Sequence, residues 1–404
     1  MSQLTRRVTA LNAEAAREPP PELRRARLAT AALFFANGCG LGSWVPHIPD
    51  VKIWHGLSEG ALGLALLVIA AGAVVALPVA GALTARFGSR PVSRGAALWF
   101  CVVLPLPLLA PDMGPLLASF VLLGIGTGAL DVAMNAHAVL IEEHYGRPIM
   151  SSFHGLFSLG GLVGSALAGG ATELGVPPAE HLTTAAVILG VLVLIAWHAL
   201  LPTAPAGGGE RLFALPRGHF VVLGAIAFIA LLAEGAMGDW SAVYIRINLG
   251  AAASTAAYGF AAFSLTMAMG RLTGDRLVAR HGAAAVLIAG ALIGAAALAL
   301  ALIVGDPLAA VVGFAGMGIG LSNIIPIVFS AAGRLPGLAP GIGIAAVSTT
   351  GYFGFLAGPP LIGLVAEVSG LPIGLGLVAV LVSLIALGTM SLQRHHVAVA
   401  ALSS

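Results

Sequence analysis

The sequence predicts an all-α membrane protein: twelve transmembrane helices in two six-helix, pseudo-symmetric halves. Three observations carry that prediction. Of 404 residues, 58% are hydrophobic and only 9% charged, against about 25% charged in soluble domains. A chain this apolar cannot cover its own surface in water. Twelve stretches also reach the roughly 20 apolar residues that a helix needs to cross about 30 Å of hydrocarbon. Finally, the second half of the chain repeats the first.

The elements follow in order. Residues 1–27 are polar and Pro-broken, which predicts a flexible tail without a cleavable signal peptide. The first bundle, 28–201, holds apolar spans near 28–47, 60–83, 92–110, 115–141, 150–172 and 182–201. The breaks "RFGSRPVSR", "APDMGP", "EEHYGRP" and "ELGVPPAEH" supply Pro, Gly and most of the charge. Gly and Ala in "SLGGLVGSALAGG" suit close helix packing in lipid. A Pro/Gly-rich linker, 202–218, reads "PTAPAGGGERLFALPRG". The second bundle, 219–393, has spans near 219–244, 255–278, 283–304, 308–332, 340–366 and 371–392, and 394–404 is a tail. Cys39 and Cys101 fall in apolar spans with no metal or redox spacing, so packing is their expected role.

Charge fixes the orientation. With a cytoplasmic N-terminus, all nineteen Lys and Arg except Lys52 and Arg246 fall on the cytoplasmic side, Arg271 counted among them. Both termini are then cytoplasmic. The repeat fits this plan. "GIGTGALD" at 124–131 matches "GMGIGLSN" at 316–323, and "GSW" at 42–44 matches "GDW" at 238–240. Two such halves around a midplane site are a common plan of secondary transporters. No P-loop and no nucleophile–base arrangement is present, which speaks against ATP hydrolysis and against an enzyme.

Between the second and third spans lies "GALTARFGSR", and between the eighth and ninth "GRLTGDRLVARHG". Both resemble the Gly-x-Leu-x-Asp-Arg-x-Gly-Arg-Arg loop signature of the major facilitator superfamily. The resemblance implies a cytoplasmic ion-pair latch, here Arg86 and Arg90 with Asp275 and Arg276. Ala85 stands where the first copy of the signature has Asp. The alternative is that these charges are simply solvated. "GALDVAMN" at 128–135 and "HGLFSLG" at 154–160 further resemble the fucose:proton symporter group. That resemblance places Asp131 at the group's proton-carrying Glu, Asn135 at its Asn and His154 at its sugar-contacting Gln. The helix 1 acid of that group is missing from "NGCGLGSWVP", so fucose itself is not implied. "GALDVAMNAHA" and "EGAMGDWSAVY" also resemble a set of bacterial facilitators with open substrates.

Chemistry alone also singles out Asp131. A carboxylate at the bilayer centre costs about 2.5–3.5 kcal/mol on insertion scales, and intramembrane acids are functional by default. Asn135, four residues on, shares its helical face. The alternative is a neutral, hydrogen-bonded packing residue. Glu234 and Asp239 lie about 140° apart on one helix, so both face one ligand only if the helix breaks at Gly235 or Gly238. Glu234 is the deeper of the two; Asp239 meets water or Arg246 in the alternative reading. Asn37, His154 and Asn323 supply hydrogen bonds, and Pro326 loosens the backbone beside Asn323. Trp44 and Trp240 are either interfacial anchors or stacking platforms for a flat solute face. No metal spacing appears among the histidines.

The expected function is proton-coupled symport of a small polar solute, such as a sugar or sugar derivative. Asp131 and Glu234 couple the proton, and Asn37, Trp44, Asn135, His154, Asp239, Trp240 and Asn323 bind solute. The alternatives are a drug or metabolite:proton antiporter and a transporter-like sensor or scaffold. No cofactor, metal or nucleic acid is expected. The expected setting is a bacterial inner membrane, as a monomer.

Overall fold

The computed structural model describes residues 20–146, 149–202, 219–332 and 340–402, and among them every regular element is a helix. The chain runs α1 (Pro21–Trp44), α2 (Glu59–Phe87), α3 (Ser89–Val103), α4 (Met113–Tyr145), α5 (Met150–Glu173) and α6 (Pro178–Ala196). Then come α7 (His219–Val243), α8 (Ala253–His281), α9 (Ala283–Val304), α10 (Pro307–Leu321, resuming as Ile324–Ala332), α11 (Pro340–Ser369) and α12 (Leu371–Leu402). Eleven of these helices are long and apolar enough to cross a membrane. The exception, α8, has the length but carries Arg271, Asp275, Arg276 and Arg280. Twelve crossings return the chain to the side where it began, which we call the terminal end; the other is the distal end.

Local chemistry explains the ends. Ser58, Asp112 and Asp306 cap α2, α4 and α10 by accepting backbone N–H bonds that the first turns leave open. Gly88 and Gly282, at φ +83° and +81°, turn α2 into α3 and α8 into α9 at equivalent places in the two halves. A side chain at either position would be strained. The break in α10 at Ser322–Asn323 lies just before Pro326, whose ring crowds the carbonyl four residues back.

The packing is as symmetric as the repeat. In the first half α1 packs on α5, α2 and α3 on α4, and α6 on α1 and α3; the second half repeats this with α7 on α11, α8 and α9 on α10, and α12 on α7 and α9. The halves meet where α5 packs on α8 and α2 on α11. The α1–α5 contact is nearly backbone against backbone. A Cβ on Gly38 would stand 1.9 Å from the Phe157 carbonyl oxygen, and one on Gly164 would stand 2.1 Å from that of Cys39. Without a hydrophobic force between helices in lipid, such close approach is what binds them.

Two expectations change. Helix α1 begins at Pro21, inside the expected tail of 1–27, and buries Leu23 and Ala26; residues 1–19 lie outside the described residues. Arg27 holds this end of α1, donating to Ser152 Oγ at 3.3 Å and lying 5.2 Å over the Tyr145 ring. Helix α7 is also unbroken at Gly235 and Gly238. Its irregularity is a π turn further on, at Tyr244–Asn248. Gly235 instead makes room for Phe355, whose ring would lie 2.9 Å from a Cβ there. The linker falls almost wholly at 203–218, outside the described residues.

Gly38→Val is expected to abolish a monodisperse, folded population in detergent, since the obstructing atoms are backbone and overpacking costs about 1–3 kcal/mol even where side chains can yield. Gly81→Ala, which meets nothing within 4 Å, is the matched control. Equal size-exclusion profiles for the two variants would refute the close-approach account.

Candidate functional site

Asp131 lies about 27 Å along α4 from Met113 and about 21 Å from Tyr145, at 1.5 Å per residue, so it sits near the membrane's middle. Asn135, one turn on, donates its Nδ2 to the Asp131 backbone oxygen at 2.8 Å and to Oδ1 at 3.1 Å. The shared face expected from the sequence is therefore present. Across the gap between the halves, the Tyr352 hydroxyl on α11 donates to Asp131 Oδ2. The carboxylate thus takes partners from both halves, and all three groups remain half-buried.

Glu234 on α7 is the second acid. Arg271 on α8 donates from Nη2 to Glu234 Oε1 at 3.2 Å and Oε2 at 3.3 Å. Its Nη1 donates to Ser158 Oγ on α5 at 2.9 Å. The two charged side chains are 10% and 20% exposed, Arg271 the lower. Arg271, counted with the terminal-side cations, is held in an ion pair between helices, about 15 Å from the α8 end at His281. His154, edge-on to Phe34 with ring centroids 5.3 Å apart, lies within electrostatic reach of Arg271. Glu234 lies within electrostatic reach of Asp131 and Tyr352. Asp131, Asn135, Tyr352, Glu234, Arg271, Ser158 and His154 therefore form one polar cluster between the halves.

Other expected residues lie at its edge or outside it. Asn37 is 2% exposed and touches Met134 through Nδ2 at 3.9 Å, while its Oδ1 is buried without a partner. Asn323 bonds Ser322 Oγ at 3.0 Å and fills the notch at Gly274, where a Cβ would stand 1.8 Å from its Oδ1. It serves the α8–α10 contact, unlike its repeat mate Asp131. Trp44, 4% exposed, packs edge-on to Phe120, and Trp240 is fully buried with Nε1 unpaired. Neither is an interfacial anchor, and neither presents a face to a solute in this conformation. Asp239 is half-buried and does not pair with Arg246. At the terminal end Arg86, Asp275 and Arg276 are exposed, Arg90 is half-buried, and Asp275 has no ion pair among the described residues. There is likewise no group of three or more His, Cys, Asp or Glu among the described residues placed to hold a metal ion.

The distal end carries a network that the sequence did not reveal. Arg246 takes Asp50 instead of Asp239, Nη1 to Oδ1 at 2.6 Å. Asp50 Oδ2 pairs with His47 Nδ1 at 3.1 Å, and His47 Nε2 meets His181 Nδ1 at 3.0 Å. His47 is 2% exposed. Beside it the Gly60 N–H donates to Glu367 Oε2 at 2.8 Å, joining α2 to α11. The Arg246–Asp50 and Gly60–Glu367 bonds cross between the halves and hold the distal ends together, while His47 ties Asp50 to His181 within the first half. Asp50→Asn removes a charge-assisted bond worth about 1.5–3 kcal/mol, enough for a tenfold or larger shift in a two-state balance. Cysteines placed on the distal faces of α2 and α11 should label faster in that variant; unchanged labelling would show that the network does not hold this end shut.

Residues 30–222 match the Major Facilitator Superfamily. An uncharacterized MFS-type transporter of Yersinia pestis is 38% identical over 368 residues, covering 91% of this chain and 96% of that protein. The membrane protein MosC of Rhizobium meliloti is 33% identical over 373 residues, 91% of this chain and 90% of MosC. Among solved structures, a point mutant of the nucleoside transporter NupG aligns with a TM-score of 0.70 at 14% identity, over 91% of this chain and 99% of NupG. The human organic anion transporter MFSD10 aligns at 0.66 and 17% identity, over 92% and 100%. At these identities the structural likeness is one of fold.

Proposed function

The chain belongs to the major facilitator superfamily and is a membrane transporter rather than an enzyme, and from that premise we propose that it is a proton-coupled symporter of a small polar solute. One observation carries this reading: Asp131, an acid near mid-membrane, is bonded at once by Asn135 of its own half and Tyr352 of the other. A proton on Asp131 removes a charge at the seam along which the halves must move. Burial disfavours the charged form of a carboxyl group, so proton loading and a change in water access are coupled. Glu234, Asn135 and His154 are the solute-facing groups in this reading; Asn37, buried like the two tryptophans, is not. Trp44 and Trp240 are buried and drop out of the solute site in this reading. Asn323 plays a structural part, wedged against α8 at Gly274.

The conformation fits one step of alternating access. With both termini in the cytoplasm of a bacterial cell, as the basic residues favour, the bonded distal end is the outer gate, closed. The exposed Asp275, Arg276 and Arg86 then mark a released cytoplasmic latch. A single chain supplies every part, so a monomer suffices.

Asp131→Asn is expected to abolish solute accumulation driven by a pH gradient in reconstituted vesicles while preserving solute exchange between equal pools. Normal gradient-driven accumulation by the variant would overturn the assignment of the proton to Asp131.

A further inference from the structure

We propose that the solute carries a carboxylate and that Arg271 receives it; the inference rests on the symport reading and names the class of its substrate. Arg271 offers five N–H donors in a planar array. It spends Nη2 on Glu234 and one Nη1 hydrogen on Ser158. The Nε–H and the second Nη1 hydrogen have no acceptor among the described residues. The pair it makes is also loose. A structural Arg–carboxylate pair in a dry setting closes as a two-nitrogen fork at about 2.7–2.9 Å. Here one nitrogen serves both oxygens at 3.2 and 3.3 Å. The guanidinium is held in place without being used up.

Its position is that of a receptor. Arg271 and Glu234 belong to the second half and Ser158 to the first, so the guanidinium spans the seam. His154 lies within reach of its charge.

Charge then couples the two cargoes. The groups facing this space are Asp131 from α4, Glu234 from α7, Arg271 from α8, Tyr352 from α11 and His154 from α5. The described side chains of α10 and α12 include none that titrates. With Asp131 and Glu234 ionised and His154 neutral, the cluster carries one net negative charge. Adding a carboxylate would raise that to two in a low-dielectric setting, where like charges repel strongly. A proton on Asp131 restores the original balance. Anion and proton therefore enter together, and each favours the other's binding by the same factor.

The test uses the purified full chain in detergent and follows thermal unfolding with glucuronate, gluconate, lactate and acetate, each against its neutral counterpart (glucuronamide, gluconamide, lactamide and acetamide). At least one carboxylate is expected to stabilise the protein more in acid than in alkaline buffer, with no shift from its amide. Arg271→Lys keeps the charge that balances Glu234 but loses the planar donors, and it should weaken that carboxylate by about tenfold or more. Asp131→Asn, fixed in the neutral form, should bind it with less dependence on pH. Stabilisation by the amides as strong as by the acids, a carboxylate effect that survives Arg271→Lys, or no shift from any of the four acids would overturn the proposal. None of these outcomes touches the vesicle assay of Asp131→Asn, so the carboxylate assignment can fail while proton coupling stands.

Discussion

A guanidinium carried into hydrocarbon must find an anion, and Arg271 finds Glu234. That requirement organises the middle of the molecule. It draws α7 and α8 together, and Nη1 reaches Ser158 on α5 across the seam. Breaking such a pair is costly because it strands a buried charge. Asp131 and Tyr352 lie beside it, close enough for Glu234 to act on both.

The scaffold is symmetric and the chemistry is not. Gly88 and Gly282 make matching turns, and the helix contacts of one half recur in the other. Yet Asp131 points to the seam, while its repeat mate Asn323 is lodged against α8 at Gly274. One half contributes the Asp131 carboxyl and the other the Glu234–Arg271 ion pair. Lipid explains why the symmetry survives in the packing: helices there associate through small residues in close contact, and glycines such as Gly38 and Gly164 cannot be enlarged without parting α1 from α5. Side chains facing the seam bear no such constraint.

The fold was legible in the sequence because hydrocarbon imposes length and apolarity on every span. Asp131 was legible as an acid in an apolar run, and Asn135 because a four-residue spacing fixes a face. Tyr352 was not, because its partner lies 221 positions away and nothing local announces the pairing. Arg271 was read only as a topology signal, since it sits in a stretch resembling a loop signature. Its depth of about 15 Å from the helix end was the available clue. The Gly235–Gly238 pair suggested a kink, but the packing of Phe355 accounts for Gly235. Asp50, His47, His181 and Arg246 come from separate segments, and only the folded chain assembles them.

The central claim is that Asp131 exchanges a proton at the seam between the halves. Infrared difference spectroscopy of the purified protein, titrated with base, reports protonated carboxyl groups by their C=O stretch. The account predicts a carboxyl band that disappears as the pH rises and is missing in Asp131→Asn. A band unchanged by that substitution, or one that does not respond to pH, would contradict it.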